Sequence, residues 1–166
     1  MHLKELWLCN DNDIYALFQS FPANENGFMN EAKDMPRDIF KQWVQKSEQA
    51  AMGIGLPAWK VPQTTYVLFN DDNKAVGVFK LRHYLNENLR NGSGHIGFGI
   101  GAAFRRQGYA TAGLKLCLEK AKERGIDLAY LSCYKYNTGS LKAMLNCGAY
   151  IDHEDEQEYY TRIPLK

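Results

Sequence analysis

Apolar residues in the first third of the chain recur at helical spacing. Ile14, Leu17, Phe18 and Phe21 fall on one face behind Asn10, Asp11, Asn12 and Asp13, which are cap-type residues, and Pro22 ends the stripe. Ile39, Phe40, Trp43 and Val44 repeat the pattern, which predicts a second amphipathic helix over 38–51. Ahead of both, 3–8 alternates weakly and reads as a strand. The polar stretch 23–36 between them is expected to be a loop, of a length that often serves as a lid or binding segment.

Beyond 51 the pattern turns to strands. Residues 53–62 carry two glycines and two prolines and read as irregular. The β-rich runs 64–70 and 75–83 flank Asp71-Asp72-Asn73, which predicts a hairpin. A polar connection over 86–94 leads to a strand over 95–100. The helix after Gln107 is the best-patterned element: Ala110, Gly113, Leu114, Cys117, Leu118 and Ala121 share a face opposite Lys115, Glu119, Lys122 and Glu123. Gly125 stands at its expected end. A strand over 128–134, a short helix over 140–146 and a hairpin of 150–153 with 159–163 complete the chain. Only part of this order is a β-α-β crossover. It predicts one α+β domain over 1–166 with a mixed sheet rather than a doubly wound one.

Composition narrows the function classes. The 166 residues are 45% hydrophobic and 23% charged, as in a globular domain with a sizeable core. A formal net charge of +1 provides no long-range field for nucleic acid or anionic lipid. No apolar run is long enough to span a bilayer, and the first ten residues hold too short an apolar stretch for a signal peptide. A cytoplasmic protein with no nucleic-acid or membrane partner is expected. Cys9, Cys117, Cys133 and Cys147 are scattered, so neither a metal site nor a disulfide framework is expected.

The most informative stretch is Arg105-Arg106-Gln107-Gly108-Tyr109-Ala110, between a strand and the best-patterned helix. A basic, glycine-containing strand-to-helix turn presents backbone N–H groups that have no helical partner, reinforced by the helix dipole. Its natural occupant is a phosphate or pyrophosphate. The turn lacks the Gly-Lys-Ser/Thr ending of a nucleotide P-loop, which argues against a nucleotide or phosphosugar binder.

The spacing Arg105-x-x-Gly108-x-Ala110 resembles the acetyl-CoA pyrophosphate loop of the GNAT N-acetyltransferase superfamily. Asn137-x-x-Ser140 after the next strand and the turn Cys147-Gly148-Ala149-Tyr150 resemble two further elements of that family, in the same order. Trp59-Lys60-Val61-Pro62-Gln63-Thr64-Thr65, Leu81-Arg82-His83-Tyr84-Leu85-Asn86 and Gly94-His95-Ile96-Gly97 are similar to a bacterial subgroup known only as "predicted acetyltransferase". The resemblance covers nearly the whole chain. It implies a mostly antiparallel sheet flanked by helices, with acetyl-CoA between splayed central strands. It implies acetyl transfer to the amine of a small molecule or peptide. A CoA-sensing module without activity is the rival reading, and a homodimer is compatible with either.

Carried onto this sequence, the resemblance assigns the cofactor to Phe98, Gly99, Ile100, Arg105, Arg106, Gln107, Gly108, Tyr109, Ala110, Thr111, Asn137 and Ser140. Asn137 and Ser140 are also cap-type residues for the helix that follows. His95 is the candidate base, standing where other members place a glutamate; a structural histidine and water-mediated proton loss remain alternatives, as do His83 and Glu87. The family's proton-donating tyrosine falls on Met144, which has no proton to give. Tyr136 is the substitute candidate, with Tyr134 and Cys147 nearby. Glu25, Glu31, Asp34 and the run 154–158 are candidates to attract a cationic amine, or simply solvated loops.

Overall fold

The computed structural model describes residues 1–166 and contains nine strands and five α-helices. Strand β1 (His2–Glu5) runs into a 3-10 turn and then helix α1 (Asp11–Ser20), whose first turn is capped by the Asn10 side chain. The segment expected to be a loop carries a minimal hairpin, β2 (Asn24–Glu25) and β3 (Phe28–Met29), before α2 (Arg37–Ala51). Strands β4 (Gln63–Phe69) and β5 (Ala75–Arg82) form the expected hairpin. The polar connection holds one helical turn, α3 (Glu87–Arg90), capped by Asn86. Then follow β6 (Ile96–Ile100), α4 (Tyr109–Glu123), β7 (Leu128–Tyr134), α5 (Thr138–Asn146), β8 (Tyr150–Glu154) and β9 (Glu158–Pro164).

The strands form two larger antiparallel sheets, ordered β1-β4-β5-β6 and β7-β9-β8. Along β4, Tyr66 and Leu68 belong to a core shared with α4, β7 and β9. Val67 and Phe69 belong to a second core under α1 and α2. Both faces of the sheet are thus covered. That is why β4 and β5 read as nearly continuous apolar runs rather than alternating ones. Helix α4 lies very close to its sheet: a Cβ on Gly113 would stand 2.3 Å from the Phe79 ring.

The two sheets touch at one point. Gly94 bridges to Leu131, and the His95 N–H donates to the Tyr130 carbonyl at 2.7 Å. A Cβ on Gly94 would come within 2.1 Å of that carbonyl oxygen, so only glycine permits the junction. Beyond it β6 and β7 are edge strands of separate sheets, and a cleft opens between them.

Candidate active site

The cleft has a volume of about 1590 Å³. Pockets for a single drug-sized ligand run to roughly 1,000 Å³, so this one is larger than such a ligand needs. One wall is the edge of β6. In the β5–β6 register the Arg82 N–H donates to the His95 carbonyl and the Gly101 N–H to the Val76 carbonyl. Residues 95, 97, 99 and 101 therefore bond inward to β5, while Ile96, Phe98 and Ile100 turn their backbone groups outward. The N–H groups of Phe98 and Ile100 face the cleft.

The strand-to-helix turn closes one end. Arg106 has φ 61° and Gly108 has φ 82°, two left-handed residues within three that turn the chain sharply. A Cβ on Gly108 would meet no atom of the protein within 4 Å. The first backbone bond of α4 runs from the Ala112 N–H to the Gly108 carbonyl. The N–H groups of Tyr109, Ala110 and Thr111 precede it and lack helical partners. Opposite them, the Asn137 side chain caps α5 by accepting from the Ser140 N–H at 3.3 Å, and 137–140 line the same cavity.

An open strand edge beside a helix N-terminus is the arrangement the resemblance implies for holding acetyl-CoA. A family model described as "Acetyltransferase (GNAT) domain" matches residues 6–150. The chain belongs to the GNAT acetyltransferase family, and is an acyltransferase. Among solved structures, Campylobacter jejuni N-acetyltransferase PseH in complex with acetyl coenzyme A is 17% identical, with TM-score 0.63, covering 99% of this chain and 98% of that one. A GNAT-family acetyltransferase from Bacillus anthracis is 18% identical, with TM-score 0.66 and coverages of 98% and 93%. Spermidine N-acetyltransferase SpeG from Vibrio cholerae, as an F149A mutant, is 12% identical, with TM-score 0.64 and coverages of 99% and 95%. At such identities the likeness concerns the fold. No curated protein sequence matches the chain significantly.

In this acetyltransferase, Phe98, Gly99, Ile100, Arg105, Arg106, Gly108, Tyr109, Ala110, Thr111, Asn137 and Ser140 all line the cleft; Gln107 does not. Arg105 is the fastener of the loop. Its Nε donates to the Ile100 carbonyl at 3.1 Å, and its guanidinium pairs with Glu25 on the β2–β3 hairpin. The hairpin is held once more by Lys80, which donates to the Met29 carbonyl, and its turn passes close to the Tyr134 ring, 3.5 Å from where a Cβ on Gly27 would stand. The stretch 23–36 thus roofs the cleft rather than projecting from it.

Both expected catalytic side chains lie outside this cavity. His95 is 6% exposed, and its Nδ1 accepts from the Tyr130 N–H at 3.0 Å. It lines a small depression with His83, Arg90 and Arg124 instead. Burial first, and Arg82, Arg90 and Arg162 next, hold its pKa down to about 4. It is a neutral structural acceptor whose backbone belongs to the sheet junction. Tyr136 is 70% exposed and stacks on Tyr134 at a centroid distance of 5.4 Å. Tyr134 is the ring that faces the cavity. Met144 is 1% exposed and its sulfur accepts from the Thr161 hydroxyl, so the family's tyrosine position serves the core here.

Three acidic side chains reach the cleft, against seven basic ones. Glu25 pairs with Arg105, and Glu31 pairs with Lys60 at 3.8 Å. Asp34 pairs with Lys33 at 3.8 Å and does not reach the cavity. Glu158 alone has no basic partner: Ser132 donates to it at 3.5 Å, and the Tyr160 hydroxyl, which donates to Asp155 at 2.8 Å, lies 3.2 Å away. It sits across from Tyr134 in the β7–β9 register. Tyr134 and Glu158 carried no motif; only the pairing of distant strands brings them together. No helix is long and apolar enough to cross a membrane.

Proposed function

We propose that the protein is an acetyl-CoA-dependent N-acetyltransferase that moves the acetyl group directly to a primary amine while both reactants occupy the cleft. The observation that carries this reading is the continuity of the cavity. A helix N-terminus with free N–H groups, an open strand edge and a separate polar chamber share one volume. Acetyl-CoA supplies the activated acetyl group. The N–H groups of Tyr109, Ala110 and Thr111, with Arg106, hold its pyrophosphate. The outward backbone groups of Phe98 and Ile100 pair with its pantetheine arm, and an N–H there stabilises negative charge on the carbonyl oxygen.

An alkylammonium with pKa near ~10.4 must lose a proton before it attacks. Glu158 is the cleft carboxylate not committed to an ion pair, and it accepts that proton directly or through water. Tyr134 donates a proton to the departing sulfur. Among tyrosines only Tyr109 and Tyr134 line the cavity, and Tyr109 belongs to the pyrophosphate turn. The test is calorimetric titration with acetyl-CoA, followed by amine-dependent release of CoA thiol. Micromolar binding and turnover are expected. Binding without turnover on any amine leaves a sensing module, and absence of binding removes the reading.

A further inference from the structure

The acceptor chamber has a charge pattern that neither the fold nor the family explains. Its floor is the stretch where β4, β5 and β6 run side by side. Lys80 and Arg82 are two apart on β5 and therefore share a face. On β4 their cross-strand partners are Thr65 and Gln63, and on β6 Gly97 faces Lys80. All five line the cleft. The Arg82 guanidinium lies over Gly97, with its terminal nitrogens 3.9 and 4.0 Å from the place a Cβ would occupy.

Neither cation has a carboxylate within 4.0 Å, although nine ion pairs form elsewhere in the molecule. Lys80 donates to the Met29 carbonyl and lies 4.6 Å from the Phe28 ring centroid. Arg82 donates one hydrogen bond to the Gly94 carbonyl at 3.1 Å, leaving most of its fork unused. Burying a charge without a counter-ion is costly, and two adjacent like charges add to that cost. Burial first, and Arg82 next, hold the pKa of half-buried Lys80 down to about 8, with Glu31 pulling the other way. An anion placed between the two cations would lower the cost of holding them together.

We infer that the amine acceptor of this enzyme carries an anionic group, a carboxylate or a phosphate, seated on Lys80 and Arg82. This rests on the acetyltransferase reading and names the substrate class of the same site. The charge comes from Lys80 and the bidentate geometry from Arg82. Thr65 and Gln63 add neutral donors beneath the anion. Spermidine, the substrate in the name of the Vibrio cholerae relative, has the wrong sign for this floor.

The experiment compares amines that differ only in the anion, with acetyl-CoA affinity measured on the same preparation. The pairs are 4-aminobutyrate with butylamine and O-phosphoethanolamine with ethanolamine; spermidine is the polycation. At least one anionic member should exceed its neutral partner at least tenfold in kcat/KM, and which pair responds separates carboxylate from phosphate. In Lys80→Met, and independently in Arg82→Gln, that ratio should fall toward one while acetyl-CoA still binds. A preference for neutral amines or spermidine, an unchanged ratio in both variants, or acetyl-CoA binding with no turnover of any anionic amine would overturn the inference. Failure of acetyl-CoA itself to bind would instead overturn the acetyltransferase reading.

Discussion

The half of the cleft assigned to the coenzyme is made mainly of backbone. Its donors are peptide N–H groups of β6 and of the first turn of α4, drawn from one continuous stretch between residues 96 and 111. The half assigned to the acceptor is made of side chains, from the β2–β3 hairpin, the 56–61 segment, β4 and β5. Backbone donors recognise what every member of a family shares, because any sequence that makes the turn offers them. Side chains from scattered strands recognise what is particular to one enzyme. The three structural relatives share the fold at 12–18% identity.

Substitutions can pull the two halves apart. The largest effect is expected from Gly108→Glu, which brings a carboxylate into the pyrophosphate turn at a φ that disfavours side chains. Acetyl-CoA affinity should drop more than about 100-fold by calorimetry, since charge repulsion and lost backbone approach act together. The melting temperature should move by only a few degrees, because the position is exposed and a Cβ there meets nothing. Glu158→Gln and Tyr134→Phe should lower kcat by about 100-fold, the lower end of what removing a general base or acid costs. Acetyl-CoA dissociation constants should stay within threefold. A matching loss of coenzyme affinity would mean that these residues belong to the other half.

Gly113→Ala probes the shared scaffold. Alanine is the better helix former, yet its methyl would collide with Phe79 and Leu68. Urea unfolding should show a loss of about 1–3 kcal/mol, the usual range for overpacking. The smallest effect concerns acid stability. His83 and His95 both titrate near 4 in the fold, against an ordinary 6.5; burial is the main cause in each. Below 6.5 the unfolded chain therefore takes up protons that the fold refuses. Stability is unaffected above that pH and declines as pH falls from 6.5 toward 4. His95→Asn, whose Oδ1 can still accept from Tyr130, should flatten the decline by at most about 3 kcal/mol. An unchanged slope would show that His95 is not held neutral.

The contrast between the two halves also explains what was legible in the sequence. The Arg105–Thr111 turn, the α4 stripe and the Asn137 cap are local patterns, and each element forms where its pattern stands. The β4–β5 hairpin was visible through its turn residues. The residues proposed as base and acid were not visible. His95 occupied the right place along the strand, but its side chain faces away from the cleft, and the facing of one side chain depends on the sheet junction. Glu25 and Glu31 looked like bait for a cation, and each is neutralised by a basic residue remote in sequence. Tyr134 and Glu158 become neighbours only once β7 and β9 pair. The missing half-turns were equally local in origin: β2–β3 and α3 are too short to leave a period in the chain.

The single-point junction at Gly94 has a consequence for how the protein behaves in a crowd. Past it, β6 leaves one side unladdered, and an unpaired strand edge is a standing invitation to other chains. Here the invitation is issued indoors. The β2–β3 hairpin, fastened to Arg105 and Lys80 and passing close to Tyr134, covers the approach, and Gly97 and Gly99 deprive the edge of the branched side chains that a foreign strand would pack against. The unpaired peptide groups thus face into the cleft, where a ligand can pair with them while other chains are kept from the edge.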